Sequence, residues 1–447
     1  RIEIEALRRD GREIKVELPD VPAMPQRAEF PWLALVAPLL MGGGMFLVTR
    51  SPLSLIFVAL SPILMLGTYL STLFGNKKAV KRDEEQFRSS LALVEADIAS
   101  RHQRELQQRL SMYPSVGECV DAVFERNSRL WSRRPEHPEF LRVRLGTGPV
   151  RPSARFEDAK KSTGRPDLVV LAEEATRARA WLADAPLVAD LAAVGGVGVV
   201  GRAGVREGVA RAIVAQVASM HSPAEVSIAC LTSTATKGEW AWLEWLPHTS
   251  AYSPLDGVQL AAEAGSGRLV LDRLEDLVAD RSTANTNDAR ERGPQEKEHE
   301  RTRPVLPSVL VVVHNPSVDW ARVATLAENG PDVGVHVLWV ADEQASLPGA
   351  CRAFIDLGDG SSTTVGMVRT EQTVRAVSTE SLDLVTATAM ARRLAPVMDA
   401  GIRESDESDL PRTVSVVSLL GVDSADDESL VLTRWKENGS YLERALP

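Results

Sequence analysis

The sequence has few cysteines and no excess of positive charge, and each shortage excludes a class of site. Its 447 residues include 51 lysines and arginines against 61 aspartates and glutamates, a net charge of −10. A protein that tracks DNA presents a basic stripe or patch to the phosphate backbone, so nucleic acid is not an expected partner. The cysteines, Cys119, Cys230 and Cys351, lie far apart without metal-ligand spacing. They indicate ordinary thiols in a reducing compartment.

Two long uncharged runs near the N-terminus predict a membrane hairpin within residues 30–75. Residues 32–48 form a run of 17 and residues 53–74 a run of 22. A spanning helix needs about 20 apolar residues, so the second run qualifies outright, and the first qualifies with its flanking residues in the membrane interface. About thirty polar and alternating residues precede the first run, which disfavours a signal peptide. A buried core hairpin is the alternative.

The flanking charges predict the orientation of this hairpin. Residues 49–52 form a tight turn that carries a lone Arg50, whereas four basic residues follow the second run: Lys77, Lys78, Lys81 and Arg82. The positive-inside rule therefore predicts a two-pass protein of the inner membrane with both termini in the cytoplasm. The glycine run Gly42–Gly44 permits close helix contact, either within the hairpin or with another membrane subunit.

The regions on either side of the hairpin have different patterns. In residues 1–29, period-two alternation around Asp10 and Gly11 predicts a short cytosolic β-hairpin. Residues 76–112 contain neither glycine nor proline and predict a long charged helix that extends about 50 Å. A second helix toward Trp131 and a strand at residues 140–145 follow. Residues 76–150 are thus expected to form a helical stalk with a small α/β cap.

Residues 151–447 have the pattern of an α/β domain. Strands are predicted at residues 168–171, 194–200, 226–231, 309–313 and 335–341, and helices at residues 206–220 and 320–329. Near-continuous apolar runs of this kind suit strands buried on both faces of a mostly parallel sheet. Residues 282–303 are almost devoid of apolar side chains and predict a disordered insertion.

The glycine-rich segment at residues 194–208 is the one place where the sequence predicts chemistry. A strand, a glycine turn and a helix seat phosphate on backbone N–H groups at a helix N-terminus. A P-loop requires G-x-x-x-x-G-K-[ST]. Counted from Gly201, the second glycine position holds Arg206 and the lysine position holds Glu207, and the frame that starts at Gly198 fails as well. The segment is therefore interpreted as a degenerate phosphate loop, comprising Gly198, Gly201, Gly204, Arg206 and Glu207.

The acidic residue that holds magnesium in an ATPase is missing too. The strand at residues 309–313 ends in His314 and Asn315, where an acid is needed to hold magnesium. A dinucleotide motif, G-x-G-x-x-G, does match residues 196–201, although half of it lies inside the strand. The expected fold is α/β with a transmembrane helical hairpin, a long stalk helix and a degenerate RecA/P-loop-like parallel-sheet domain.

Two further features carry weaker hypotheses. Trp240, Trp242 and Trp245 form an aromatic cluster, which is either a docking surface or a core anchor. His221 ends a predicted helix and is read as a cap rather than a catalytic base. The sequence offers no catalytic triad and no metal site.

The motifs taken together resemble the N-terminal half of the EccC family, the FtsK/SpoIIIE-type ATPases of type VII (ESX) secretion systems. The resemblance covers roughly residues 30–436. Its motifs are residues 130–135 (Leu-Trp-Ser-Arg-Arg-Pro), 140–144 (Phe-Leu-Arg-Val-Arg), 220–223 (Met-His-Ser-Pro), 240–248, and the pair Arg434 and Trp435.

The resemblance implies a protein of the inner membrane that packs beside the EccB, EccD and EccE subunits. It implies a divergent ATPase-like domain after the stalk, followed by further domains with intact P-loops. Those domains use ATP and magnesium to export WXG100-type substrates. No catalytic residue is carried onto this chain, and no cofactor is expected in it.

The first hypothesis is thus the anchor, stalk and regulatory ATPase-like domain of a secretion motor. The chain begins at Arg1, so it is expected to be a piece of a longer protein. The alternatives are a membrane-tethered scaffold without a motor and an FtsK-like DNA translocase.

Overall fold

The computed structural model describes residues 14–24, 52–157, 164–249, 259–291, 304–358, 363–366 and 373–399, with a few isolated positions elsewhere. The chain divides into two compact units, Arg1–Met398 and Asp399–Pro447. All of the elements named below belong to the first unit.

The helices, in chain order, are α1 (Pro52–Met112), α2 (Val116–Glu125), α3 (Pro166–Ala178), α4 (Leu191–Val194), α5 (Val205–Met220), α6 (Lys237–Trp240), α7 (Ala264–Glu291), α8 (Trp320–Asn329) and α9 (Leu384–Leu394). The strands are β1 (Ile14–Val16), β2 (Arg142–Val150), β3 (Ala154–Phe156), β4 (Leu182–Asp190), β5 (Gly196–Val200), β6 (Val226–Leu231), β7 (Leu260–Ala261), β8 (Ser308–His314), β9 (Val335–Ala341), β10 (Ala353–Asp356), β11 (Thr363–Gly366) and β12 (Thr373–Val377).

An eight-stranded sheet organises the unit, with strand order β12-β11-β10-β5-β9-β8-β6-β7. The strands from β10 to β7 in this order pair in parallel, and β11 and β12 add an antiparallel edge. Alternate residues of β8 enter opposite cores: Leu310 and Val312 on one face, Val309 and Val311 on the other. Both faces are buried, which is why these strands read as continuous apolar runs.

Helix α5 is the centre of one of these cores. Every residue from Arg206 to Met220 is buried. It contacts the sheet through β5 and β9, and α2, α9 and strand β2 cover it. Strand β2 pairs antiparallel with β4, so residues on both sides of position 150 share one core. The opposite face of the sheet is covered by α7 and α8.

Helix α1 is one continuous element of 61 residues, about 90 Å long at 1.5 Å per residue. Phe87 and Leu91 pack with α3, and Ile98 packs with Ala154 and Phe156 of β3. The distal half of the predicted stalk is therefore held against folded structure rather than standing free.

Among the residues that the structure describes, no helix meets the length and hydropathy of a membrane span. The predicted first run at residues 32–48 lies almost wholly outside those residues. Helix α1 contains residues 53–74, but most side chains of that run also lie outside the description.

Several predicted elements agree with the structure and others do not. Strands β6, β8 and β9 and helices α5 and α8 lie within one residue of their predicted bounds. The predicted strand at residues 168–171 is wrong, because Pro166 begins α3 and Leu168, Ala172 and Ala175 are buried at helical spacing. In the predicted insertion, residues 282–291 continue helix α7, and the rest lies outside the described residues.

The predicted N-terminal β-hairpin lies partly outside the described residues. Its second strand is present as β1, which pairs in parallel with β3 across register pairs such as Ile14 and Ala154. Residues 1–13, which hold the other predicted strand, are not among those described.

Three fully enclosed histidines are part of the cores. The Leu141 N–H donates to Nε2 of His221 at 3.0 Å, and His248 Nε2 lies 2.9 Å from the His221 carbonyl oxygen. Burial lowers the pKa of His221 to about 3, and it lowers the pKa values of His248 and His336 to about 4. All three imidazoles are therefore neutral in the folded protein at neutral pH.

We expect the chain to lose stability as the pH falls below about 6.5, where the unfolded imidazoles take up protons that the folded ones refuse. Each histidine removes up to about 1.4 kcal/mol per pH unit until the pH approaches its folded pKa. Urea unfolding at pH 7.5 and pH 5.0 measures this loss. His336→Leu should reduce it by roughly a quarter, since burial also lowers the pKa of His314. Equal unfolding free energies at the two pH values would contradict the assignment.

Candidate functional site

The glycine-rich segment forms a strand, a turn and a helix, but the strand begins at Gly196 rather than at the predicted Val194, which ends helix α4. Strand β5 ends at Val200, and α5 begins at Val205 with Gly204 as its N-cap. Gly204 has a φ of 85°, a left-handed conformation that a side chain disfavours. Nothing lies within 4 Å of the position of a Cβ there, so the backbone conformation rather than space selects glycine.

The backbone donors of this turn are used by the chain itself. The N–H groups of Val205 and Arg206 both donate to the Arg202 carbonyl oxygen at 3.2 Å. The Gly204 N–H donates to Oε2 of Glu207, three residues into the helix. Glu207 thereby places a carboxylate at the helix N-terminus, where a P-loop would present its amides to phosphate.

The Arg206 side chain bonds both to Glu207 and to the backbone of the turn. Its Nε donates to Oε1 of Glu207 at 2.8 Å, and one terminal nitrogen donates to the Gly201 carbonyl oxygen at 2.9 Å. The same nitrogen pairs with Asp342, which follows β9. Arg206 and Glu207 are both buried, so each charge is neutralised within the chain rather than by solvent.

His314 brings the end of β8 into contact with this turn. Trp240 Nε1–H donates to His314 Nδ1 at 3.0 Å. In the neutral ring the proton is therefore on Nε2, which lies 3.4 Å from Glu207 Oε1 without the alignment of a hydrogen bond. Burial lowers the pKa of His314, and the Glu207 carboxylate opposes that effect. Asn315 follows with an exposed side chain and a φ of 48°.

The residues present do not fit ATP and magnesium. The lysine position holds a carboxylate, the amides of residues 204–206 are bonded within the chain, and β8 ends in histidine instead of an acid. The sequence predicts these losses. It does not predict that Glu207, Arg206, His314 and Trp240 contact one another, since that depends on the positions of β8 and α6.

The glycines inside β5 have packing roles. A Cβ at Gly198 would collide with the Leu347 side chain, and one at Gly196 would lie 2.9 Å from the Val337 carbonyl oxygen. In a dinucleotide-binding fold the first two strands are neighbours, whereas here β9 and β8 separate β5 from β6. The dinucleotide reading of residues 196–201 is therefore wrong.

The tryptophan cluster does not form one surface. Trp240 and Trp242 are fully buried, so they serve the core. Trp245 is 48% exposed, with the Arg392 guanidinium 4.8 Å from its ring centroid. The core-anchor reading holds for two of the three tryptophans, and Trp240 also orients His314.

Three arginines hold the C-terminus of α1, and we call this set, Arg129, Arg133 and Arg144, the arginine joint. The last carbonyls of a helix lack intrahelical donors and carry partial negative charge. Arg129 donates to the Ser111 carbonyl at 3.3 Å, Arg133 to the Met112 carbonyl at 3.1 Å, and Arg144 to the Tyr113 carbonyl at 3.1 Å.

Arg133 also connects α1 to the C-terminus of α5. Its backbone N–H donates to the Met220 carbonyl at 2.9 Å, while its side chain reaches Met112. Trp131 donates its backbone N–H to Ser219 and its indole N–H to Ala218, at 2.8 and 3.1 Å. Residues 131–133 thus donate hydrogen bonds to the C-terminal carbonyls of both α1 and α5. The N-terminus of α5 follows the phosphate-loop position, where the chain bonds to itself.

Burial makes this joint costly to break. Arg133 and Arg144 are 7% and 8% exposed, and Arg144 also pairs with Glu380 at 3.1 Å. Burial lowers the pKa of Arg133, although an arginine stays charged at neutral pH. The sequence predicts a strand at residues 140–145 but not these roles, and Arg142 and Arg144 are both buried.

Comparison with known proteins identifies relatives but no matching family model. The chain is 24% identical over 333 residues to the ESX secretion system protein EccC of Geobacillus thermodenitrificans (strain NG80-2), covering 71% of this chain and 21% of the relative. It is 22% identical over 450 residues to the type VII secretion system protein EssC of Staphylococcus aureus (strain NCTC 8325 / PS 47), covering 97% of this chain and 29% of the relative. The chain thus spans about a fifth to three-tenths of the length of these relatives.

Among solved structures, ATPases 2 and 3 of EssC from Geobacillus thermodenitrificans align with a TM-score of 0.38 and 13% identity. That alignment covers 60% of this chain and 51% of the other. Over much of its length, the chain is therefore a homologue of the EccC and EssC proteins of type VII secretion systems.

Proposed function

We propose that this chain is the membrane-anchoring and coupling part of a type VII secretion ATPase. In this proposal, the predicted hairpin crosses the inner membrane twice with both termini in the cytoplasm. Helix α1 leaves the membrane and ends at the arginine joint. The ATPase-like domain that follows does not hydrolyse ATP and couples the motor to the export complex.

The arginine joint is the observation that carries this proposal. Arg133 bonds to the last carbonyls of α1 and of α5, so a displacement of one helix end is passed to the other without a flexible linker. Helix α5 is buried along its length and begins at the closed loop. The arrangement suits an element that transmits motion between a membrane helix and a cytosolic domain.

The sheet supports the assignment of a degenerate RecA-like domain. Its parallel strands lie in the order β10-β5-β9-β8-β6-β7. In a P-loop ATPase a strand leads directly into the phosphate loop and the helix after it, and β5 and α5 flank that position here. The internal bonds of Glu207 and Arg206 support a domain that has the fold without the chemistry.

The activity and partners of the whole protein are proposals that rest on the family resemblance. ATP and magnesium would act in downstream domains, and the membrane partners would be EccB, EccD and EccE. WXG100-type proteins would be the exported substrates. The hairpin glycines Gly42–Gly44 are a candidate contact with one of these membrane subunits.

We expect the purified full chain to bind no ATP and to release no phosphate from it, because the anion position is filled by Glu207. Isothermal titration with ATP and magnesium, followed by a phosphate-release assay, measures both properties. Circular dichroism of the same sample establishes that it is folded. ATP binding, or phosphate release that follows the folded chain through purification, would contradict a non-hydrolysing domain.

Thiol labelling tests the membrane topology. The native cysteines are buried, and burial raises the pKa of Cys119 to about 11, so they give little background. In intact spheroplasts, a membrane-impermeant maleimide should label Arg50→Cys in the predicted turn. It should label Lys78→Cys only after the membrane is opened. Labelling of Lys78→Cys in intact spheroplasts, or of Arg50→Cys only after opening, would contradict the two-pass arrangement.

A further inference from the structure

We propose that the turn before α5 is an oxyanion-binding site whose resident ligand is the chain's own Glu207 carboxylate. The inference deepens the proposed function and rests on it, since a site filled from within takes no nucleotide. It assigns a ligand class, a small carboxylate or other oxyanion, to the turn that was interpreted above only as a degenerate phosphate loop.

Donors from three separate elements converge on this carboxylate. The Gly204 N–H bonds to Oε2 from the turn, and Arg206 Nε bonds to Oε1 at 2.8 Å from the first turn of α5. His314, at the end of β8, directs Nε2 toward Oε1 from 3.4 Å. Two of these donors are side chains whose positions are set elsewhere in the fold, so the cradle is more than a helix N-terminus.

His314 is the independent observation that points to an anion. Its ring is 2% exposed, and Trp240 fixes the tautomer that leaves a proton on Nε2. Within the described residues, Nε2 makes no hydrogen bond. A buried donor without an aligned acceptor is costly, and the Glu207 carboxylate lies 3.4 Å from this nitrogen.

The charges around the cradle also match an anion. Arg206 supplies the cation, and Asp342 pairs with its outer nitrogen from a largely exposed position. Glu239, the other acid that acts on His314, is paired with Arg211 at 2.7 Å. Removal of the Glu207 carboxylate therefore leaves Arg206 Nε, the Gly204 N–H and His314 Nε2 with no acceptor between them.

Chemical rescue tests this assignment. Glu207→Ala deletes two carbons and two oxygens, the heavy atoms of acetate, so acetate is the matching probe. In the full chain, we expect this substitution to lower the melting temperature by several degrees. Sodium acetate should restore at least half of that loss in a saturable manner, relative to sodium chloride at equal ionic strength. The unsubstituted chain should show no such response.

Glu118→Ala is the matched control. Glu118 forms the equivalent capping box with Ser115 at the start of α2, but the contact is exposed and lacks a buried histidine. Acetate should not rescue it. Equal effects of acetate and chloride on Glu207→Ala, or equal rescue of Glu118→Ala, would overturn the proposal.

A second variant covers the case in which Glu207→Ala does not fold. Glu207→Gln keeps the shape of the side chain but removes its charge, so it should fold with reduced stability and show no acetate response. A Glu207→Gln chain as stable as the unsubstituted one would overturn the claim that the site requires an anion. Failure of rescue leaves the ATP-binding result unaffected, whereas ATP binding by the unsubstituted chain would refute the proposed function itself.

Discussion

The C-terminal carbonyls of α1 and α5 lack partners within their own helices, and the structure depends on the donors that satisfy them. Arg133 serves both ends, with its backbone N–H on Met220 and its guanidinium on Met112. A buried carbonyl without a donor costs about 1–3 kcal/mol, and the partial negative charge of each helix end favours a cation there. This requirement accounts for Arg129, Arg133 and Arg144.

At the N-terminus of α5, the unpaired groups are backbone N–H donors, and the chain supplies an acceptor for them. Helix N-termini need acceptors, and Glu207 supplies one from within the helix while Arg206 balances its charge. The turn of a nucleotide-binding fold is thereby closed by the chain. Since α5 is buried from Arg206 to Met220, the closed turn and the contact with Arg133 lie at the two ends of one buried helix. A domain built in this way has a fixed conformation at the phosphate position and a fixed attachment to α1.

Sequence patterns predict the parts of this fold that depend on local periodicity. The buried strands β6, β8 and β9 appear as apolar runs, and α5 and α8 have clear bounds. The short run at residues 168–171 is misread because four apolar residues suit a strand as well as a helix, and Pro166 decides between them. Missing P-loop residues are also visible in the sequence alone.

Contacts between distant segments are what the sequence does not reveal. Nothing in the alternation at residues 140–145 distinguishes arginines that face solvent from arginines that reach the end of a helix 30 residues earlier. Likewise, the contact of His314 with Glu207 requires β8 to lie two strands from β5, with β9 between them. Residues 1–13 and 32–48 lie mostly outside the described structure, so the predictions for them stay predictions.

Amide hydrogen exchange at the end of α1 tests the central claim most directly. The Tyr113 N–H donates to the Arg109 carbonyl at 2.9 Å, inside the region that the joint holds. In the unsubstituted chain it should exchange as slowly as the amides of β8. Arg133→Met should accelerate exchange there, with a local loss of about 2–4 kcal/mol, because the guanidinium bond to the Met112 carbonyl is lost. The more exposed Arg129→Met should have a much smaller effect. Unchanged protection of Tyr113 in Arg133→Met would contradict the joint.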